Sequence, residues 1–105
     1  MSTYEEDLLK PKDRYFAFVD ASFQVGDTPA THDVETSLNK KSIDGFIKCT
    51  DTVTGIDIEI SSDGTNFGDI FTLDPEESLN LVGLEVSKIR VSRKAADSAY
   101  KIFVS

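Results

Sequence analysis

The chain has 105 residues, which is enough for one domain with a single modest core. Its hydrophobic fraction of 39% is too high for a disordered acidic chain, and no apolar run approaches the roughly 20 residues that a membrane span needs. The net charge of −8 argues against direct nucleic-acid binding, because phosphate backbones attract Lys and Arg. One cysteine and one histidine exclude an internal disulfide framework and a multi-cysteine zinc site.

The first 13 residues, MSTYEEDLLKPKD, are predicted to form an arm outside the folded domain, which then spans residues 14–105. This segment is polar and acidic and lacks the apolar stretch of a signal peptide, so we expect synthesis in the cytoplasm without export. Tyr4, Leu8 and Leu9 are its large apolar side chains, and we expect them to contact a protein surface.

Along the rest of the chain, apolar residues recur at every second position in short runs, a pattern that predicts β-strands. The run RYFAFVDASFQV (14–25) is apolar on both faces, which predicts a central strand or a strand that another chain covers. A loop is expected at 26–33, and VETSLN (34–39) is predicted to be a short strand. The strand predicted at 42–50 contains Gly45, which indicates a bulge or a close approach of two backbones.

The second half of the chain alternates most regularly, and each run predicts one buried and one solvated face. In IDIEIS (56–61) the three isoleucines are expected to point inward and the two acids outward. Similar runs follow at 67–73, 78–84, 86–92 and 99–105. About seven or eight short strands at regular spacing predict an all-β chain that forms a single antiparallel β-sandwich or jelly roll.

The stretch IEISSDGTNFGDIF (58–71) raises the question of whether its polar residues bind an ion or only make a turn. Asp63, Asn66 and Asp69 offer three oxygen ligands, fewer than a calcium loop needs. Asp63–Gly64 is also a strong hairpin signal, because both central positions of such a turn favour positive φ. The turn is therefore preferred, and a ligand-binding site for glycan or calcium at Asp63–Asp69 is the alternative.

No catalytic constellation can be assembled from the sequence. His32 has no recognisable nucleophile or orienting partner, so it is interpreted as a loop residue. Cys49 alternates with Ile47 in a predicted strand, and a buried, unreactive thiol is expected there. The chain is therefore predicted not to be an enzyme, and no cofactor is expected.

Charge is distributed unevenly along the chain. Residues 42–85 carry a net charge of −9 and residues 86–105 a net charge of +4, so the two regions can pair within the fold or between identical subunits. Lys88 and Arg90 are expected on one outward strand face. They are interpreted as a phosphate-binding patch, as a contact for an acidic protein surface, or as charges that keep a sheet face solvated.

The aromatic run that begins at Tyr15 and includes Phe16 and Phe18 suggests a protein interface. Together with Ile70–Phe71 and Ile102–Phe103, it provides more apolar surface than a sandwich of this size can bury. Large apolar patches on a soluble chain mark interaction surfaces, so we expect these side chains to contact partners.

Residues 58–105 resemble the small β-sandwich structural proteins of tailed-bacteriophage virions. The resemblance is carried by S-x-D-G-x-x-F at 61–67, L-x-P-x-E-S-L at 73–79, L-x-V-S-K-I-R-V at 84–91 and Y-x-I-x-V at 100–104. It implies a non-enzymatic virion component, either a capsid decoration (cement) protein or a tail or connector piece. Its partners would be other virion proteins and copies of itself, with a trimer favoured and no membrane contact.

The motif S-x-D-G-x-x-F is also similar to a hairpin of discoidin-like and carbohydrate-binding jelly rolls. Those folds place Trp where this chain has Phe67, and the chain contains no Trp. The second resemblance is the source of the glycan alternative at the Asp63–Asp69 turn.

Overall fold

The structure, a computed structural model, describes residues 15–24, 28–93 and 97–105. They form two four-stranded antiparallel sheets, so the prediction of an all-β sandwich of about eight strands is confirmed. The predicted arm, residues 1–13, lies outside the described residues. In chain order the elements are β1 (Phe16–Phe23), β2 (Ala30–Asp33), α1 (Val34–Leu38), β3 (Gly45–Cys49), β4 (Ile56–Ser61), β5 (Phe71–Leu73), β6 (Ser78–Asn80), β7 (Lys88–Arg93) and β8 (Ser98–Val104).

The order of strands identifies the sandwich as a jelly roll. The first sheet has the order β1-β8-β3-β6 and the second has the order β2-β7-β4-β5. Each early strand thus pairs with its counterpart counted from the end: β1 with β8, β2 with β7, β3 with β6, and β4 with β5. Rolling such a ribbon brings β8 against β3 and β7 against β4 as well. This double-sheet arrangement of eight strands is a jelly roll.

Side chains from the facing sides of the two sheets form the core. In β8 the predicted inward residues Tyr100, Ile102 and Val104 are at most 1% exposed. The inward direction is also confirmed for β4 and β7, with Ile60 of β4 only partly buried. Burial of each large aliphatic side chain contributes about 1.5–3 kcal/mol to folding.

Helix α1 replaces the strand that was predicted for VETSLN, so that prediction is wrong. The carboxylate of Asp33 caps the helix and accepts a hydrogen bond from the Thr36 backbone N–H at 3.1 Å. Val34 and Leu38 are four residues apart and therefore lie on one helix face, where both are buried. Asn39 ends the helix in the left-handed conformation, with φ of 63°.

Strand β2 differs from its prediction, and one of the two alternatives for β1 is wrong. In the described sheet β1 pairs with β8 on one side only, so it is an edge strand and not a central one, and the alternative of a strand that another chain covers stays a prediction. Strand β2 occupies part of the predicted loop at 26–33 and pairs with β7 at an edge of the second sheet. A partner strand more than 50 residues away decides both outcomes, and the local pattern does not report it.

The backbone approach predicted at Gly45 is confirmed. Its φ is 130°, and a Cβ at this position would collide with the carbonyl oxygen of Phe103 on the neighbouring strand β8. Only glycine therefore allows β3 to start against β8 here. No helix in the part of the chain that the structure describes is long and apolar enough to span a bilayer.

Candidate functional site

The Asp63 carboxylate is surrounded by hydrogen-bond donors of its own loop. Oδ1 accepts bonds from the backbone N–H groups of Thr65 and Asn66, both at 2.8 Å, and from the Ser61 hydroxyl at 3.1 Å. Oδ2 accepts a bond from the Asn66 side-chain amide at 3.0 Å. These donors, the backbone N–H of Asn66 foremost, favour the charged carboxylate and hold the pKa of Asp63 well below its usual range. The aspartate therefore organises the turn.

The turn itself is not the predicted two-residue hairpin. Gly64 has a positive φ of 84°, but Asp63 does not, and the connection between β4 and β5 comprises residues 62–70. The Asp63 carboxylate accepts hydrogen bonds from the backbone N–H groups two and three residues further along the chain. The chain therefore leaves the strand pairing here and forms a loop. Only Phe71–Leu73 of the strand predicted at 67–73 pairs with β4.

The three residues of the calcium alternative are used differently. Asn66 directs its amide donors at Asp63, which is the wrong polarity for a cation between them. Asp69 is exposed on the same loop. The described residues include no group of three or more His, Cys, Asp or Glu side chains that could hold a metal ion, and they form no pocket. Phe67, at the position of the glycan-platform Trp, lies beneath Arg90, whose Cζ is 4.0 Å from the ring centroid.

Lys88 and Arg90 lie on the outer face of the second sheet, as predicted. We call this surface the polar face; its members are Thr31, Asp33, Asp57, Glu59, Thr72, Lys88, Arg90 and Ser92. Arg90 Nε donates to Glu59 Oε1 at 2.9 Å, and the hydrogen bond lowers the pKa of Glu59. Lys88 lies opposite Asp33 in the β2–β7 register. Arg90 of the basic region thus pairs within the fold with Glu59 of the acidic region 42–85, whereas the acid opposite Lys88 lies outside that region.

The outer face of the first sheet has a different character. We call it the aromatic face; it comprises Tyr15, Ala17, Val19, Phe46 and Phe103. Tyr15 stacks on Phe103 with ring centroids 5.3 Å apart, and Phe46 lies 6.3 Å from Phe103 on the other side. Exposed fractions of 60% for Tyr15, 67% for Val19 and 44% for Phe103 show that the described residues leave this surface open.

The predicted interface run at 15–18 is divided between the two sides of β1. Tyr15 points outward, whereas Phe16 and Phe18 are half-buried against the core. The Phe18 ring is 4.4 Å from the His32 ring and 5.7 Å from the Tyr100 ring. These two phenylalanines therefore fill the space between the edge strands. Three further predicted contact residues, Tyr4, Leu8 and Leu9, lie outside the described residues.

His32 lies in strand β2, so its interpretation as a loop residue is wrong. It is 9% exposed, and its Nε2 lies 2.8 Å from the Tyr100 hydroxyl on the opposite sheet. Burial lowers the pKa of His32, and the charge of Asp20 partly opposes that shift. Cys49 is buried as predicted, with its Sγ 3.3 Å from the Thr54 carbonyl oxygen. The His32–Tyr100 bond joins the two sheets.

No protein-family model, curated protein or solved structure matches this chain. The family resemblance of residues 58–105 therefore depends on the sequence motifs alone. The arrangement of surfaces, and above all the contrast between the polar and aromatic faces, provides the structural basis for a functional proposal.

Proposed function

We propose that this chain is a non-enzymatic structural protein of a tailed-bacteriophage particle, a capsid decoration protein or a tail or connector piece. It acts through protein–protein contacts, with copies of itself and with other virion proteins. The aromatic face is the surface that makes these contacts.

The open aromatic face is the observation that carries the proposal. Tyr15, Phe103 and Phe46 form a continuous row across the strands of the first sheet. The side chains of Ala17 and Val19 flank this row. Aromatic residues are enriched in protein interfaces, where a large, rigid side chain is buried at a low cost in conformational entropy. Leaving such a row in water forgoes that burial, so a partner that covers it gains affinity.

The fold is compatible with this role. Jelly rolls form the coat domains of many viral capsids, although the same fold also serves lectins and enzymes. Its two sheets hold rigid outer surfaces, and a rigid surface loses little entropy when it binds. The sequence motifs supply the phage assignment, and the aromatic face supplies the mode of action.

The mass of the protein in solution tests the mode of action. Light scattering should give a multiple of the 11.6 kDa chain mass. Phe103→Ser should shift the protein toward the monomer, with a dissociation constant raised roughly tenfold or more, as for a central aromatic of an interface. Ile70→Ser is the control, because Ile70 is apolar and 61% exposed but lies in the connection between β4 and β5, outside the first sheet. A wild-type protein that stays monomeric at all concentrations would contradict self-assembly.

The phage assignment has its own test. Peptide mass spectrometry of phage particles, purified from lysates of the cells that carry the gene, should detect the chain at a fixed ratio to the major capsid protein. Washing in high salt should retain it, because an apolar contact is not weakened by screening. Absence of the chain from every purified particle would refute the assignment.

A further inference from the structure

Two lysines lie side by side on the first sheet. Lys48 of β3 and Lys101 of β8 are directly opposite in the antiparallel register, and both belong to the outer surface of the sheet. Like charges in directly opposite positions destabilise a pair of strands. Among the residues that the structure describes, neither lysine has a carboxylate within ion-pair distance. The sheet therefore presents two adjacent positive charges that its own described residues leave uncompensated.

The lysine pair adjoins the aromatic face. Phe46 and Phe103 are each two residues from a lysine on the same strand, which places them on the same side about 7 Å away. The Lys101 ammonium lies 5.9 Å from the Phe46 ring centroid. One surface thus joins a row of aromatic rings to a row of positive charge. A partner that complements it has carboxylates directly beside large apolar side chains.

The chain itself contains such a segment. Residues 4–9 read Tyr-Glu-Glu-Asp-Leu-Leu, three consecutive acids flanked by three large apolar side chains. The other mixed segment, 73–79, is already part of the folded domain, where Leu73 is buried and Leu79 packs against the core. The Glu59 carboxylate is likewise engaged by Arg90. Residues 4–9 therefore have the composition that fits the surface.

We propose that residues 4–9 of one copy bind the aromatic face and the Lys48–Lys101 pair of a second copy. The inference rests on the proposed assembly function and names the partner of that surface. The three acids offset the two lysines, and Tyr4, Leu8 and Leu9 cover the aromatic row. Each copy both gives a segment and receives one, so the contact joins subunits into an oligomer.

Charge exchange between full-length chains tests the contact. One variant carries Lys48→Glu and Lys101→Glu; the other carries Glu5→Lys, Glu6→Lys and Asp7→Lys. In each variant alone like charges meet, so we expect the dissociation constant to rise roughly tenfold or more. An equimolar mixture restores opposite charges between copies, so light scattering should again detect species heavier than one chain that contain both variants.

Lys40→Glu with Lys41→Glu is the matched control, because it makes the same charge change at two neighbouring lysines in the connection between α1 and β3, outside the strands of the first sheet. This control should assemble as the wild type does. Circular dichroism should show that all variants fold, and recovery in the mixture independently shows that both are competent.

The possible outcomes separate this inference from the proposed function. Assembly of either charge variant alone at wild-type affinity would overturn the inference and leave the self-assembly of the wild type standing. Loss of assembly in both variants without recovery on mixing would also overturn it, since a contact within one chain gives no exchange between copies. A monomeric wild type would instead refute the assembly function on which the inference rests.

Discussion

The two outer faces of the sandwich differ in how their exposed side chains are paired across the strands. On the polar face, opposite charges meet across the strands: Glu59 faces Arg90, and Asp33 faces Lys88. On the aromatic face, Phe46 is opposite Phe103, and the next outward position on those strands places Lys48 opposite Lys101. The first arrangement is complete within one chain, whereas the second leaves apolar area and positive charge unmatched by described residues.

Under the proposed function, the polar face serves the fold of the single chain and the aromatic face serves contacts with a partner. A matched ion pair on an exposed sheet keeps the sheet soluble and does little else. A like-charge pair beside a row of exposed aromatic rings lowers the stability of the isolated chain. Such a surface is typical of an interaction site. Two experiments compare the faces for their effects on stability and association, and a third concerns the core between them.

The largest effect is expected from a comparison of Ile102 with Phe103, neighbours in β8 that point to opposite sides. Ile102→Ala should lower the free energy of unfolding by about 2–5 kcal/mol, because it opens a cavity in the core. Phe103→Ala should cost clearly less stability, since the side chain is 44% exposed, but it should weaken association. Urea unfolding and light scattering measure the two quantities.

Equal losses of stability in the two variants, with no change in association, would show that the aromatic face serves the fold of the single chain. Neither face would then be a surface for association, because both would act only within one molecule.

A smaller effect is expected from His32, which lies between the faces. Its pKa is lowered by burial, so the folded state binds fewer protons than the unfolded state, whose histidine titrates near 6.5. Stability from the neutral ring is present above that value and is lost as the pH falls from about 6.5 through the lowered pKa of the folded state. Thermal melts between pH 7.5 and 5 should show a falling Tm.

His32→Gln keeps a group that can bond the Tyr100 hydroxyl but does not titrate, so its Tm should vary less over the same pH range. Asp20→Asn should enlarge the dependence in the wild-type background, because the charge of Asp20 opposes the shift. A pH dependence that is identical in wild type and His32→Gln would assign it to other groups.

The smallest effect is expected from the same neutralising substitution on each face. Arg90→Gln removes the Glu59 ion pair and the stack on Phe67, so it should lower Tm slightly and leave the mass in solution unchanged. Lys101→Gln removes one of two opposed like charges, so it should leave the Tm of dilute protein unchanged or raise it, while association weakens. Differential scanning calorimetry and light scattering would measure both. Weaker association of Arg90→Gln would place a contact on the polar face.

The sequence predicted much of the sandwich because alternation is a local property. The inward side chains of β8 and β4 could be identified from spacing alone, and Gly45 was correctly read as a close approach. Helix α1 was missed because a five-residue helix has room for only one i,i+4 pair, and its clearest signals are the capping Asp33 and the left-handed Asn39.

The candidate site could be predicted only in part. That Tyr15 would be exposed was expected, but the inward direction of Phe16 and Phe18 depends on the pairing of β1 with β8. The lysine pair could not be predicted from the sequence. Lys48 and Lys101 are more than 50 residues apart and become neighbours only because β3 pairs with β8 in this register. Similarly, His32 has no local partner, and its contact with Tyr100 spans 68 positions.

The pairing of β1 with β8 also determines when the first sheet can be completed. Strand β8, residues 98–104, follows the other seven described strands in the chain, so β1 has no partner strand until residues 98–104 have left the ribosome. During that time the inward Phe16 and Phe18 have no sheet to pack in. An unpaired strand edge of this kind can pair with the same strand of another nascent chain on the same mRNA. Translation by closely spaced ribosomes therefore brings the unpaired β1 edges of several nascent chains together before β8 pairs with any of them.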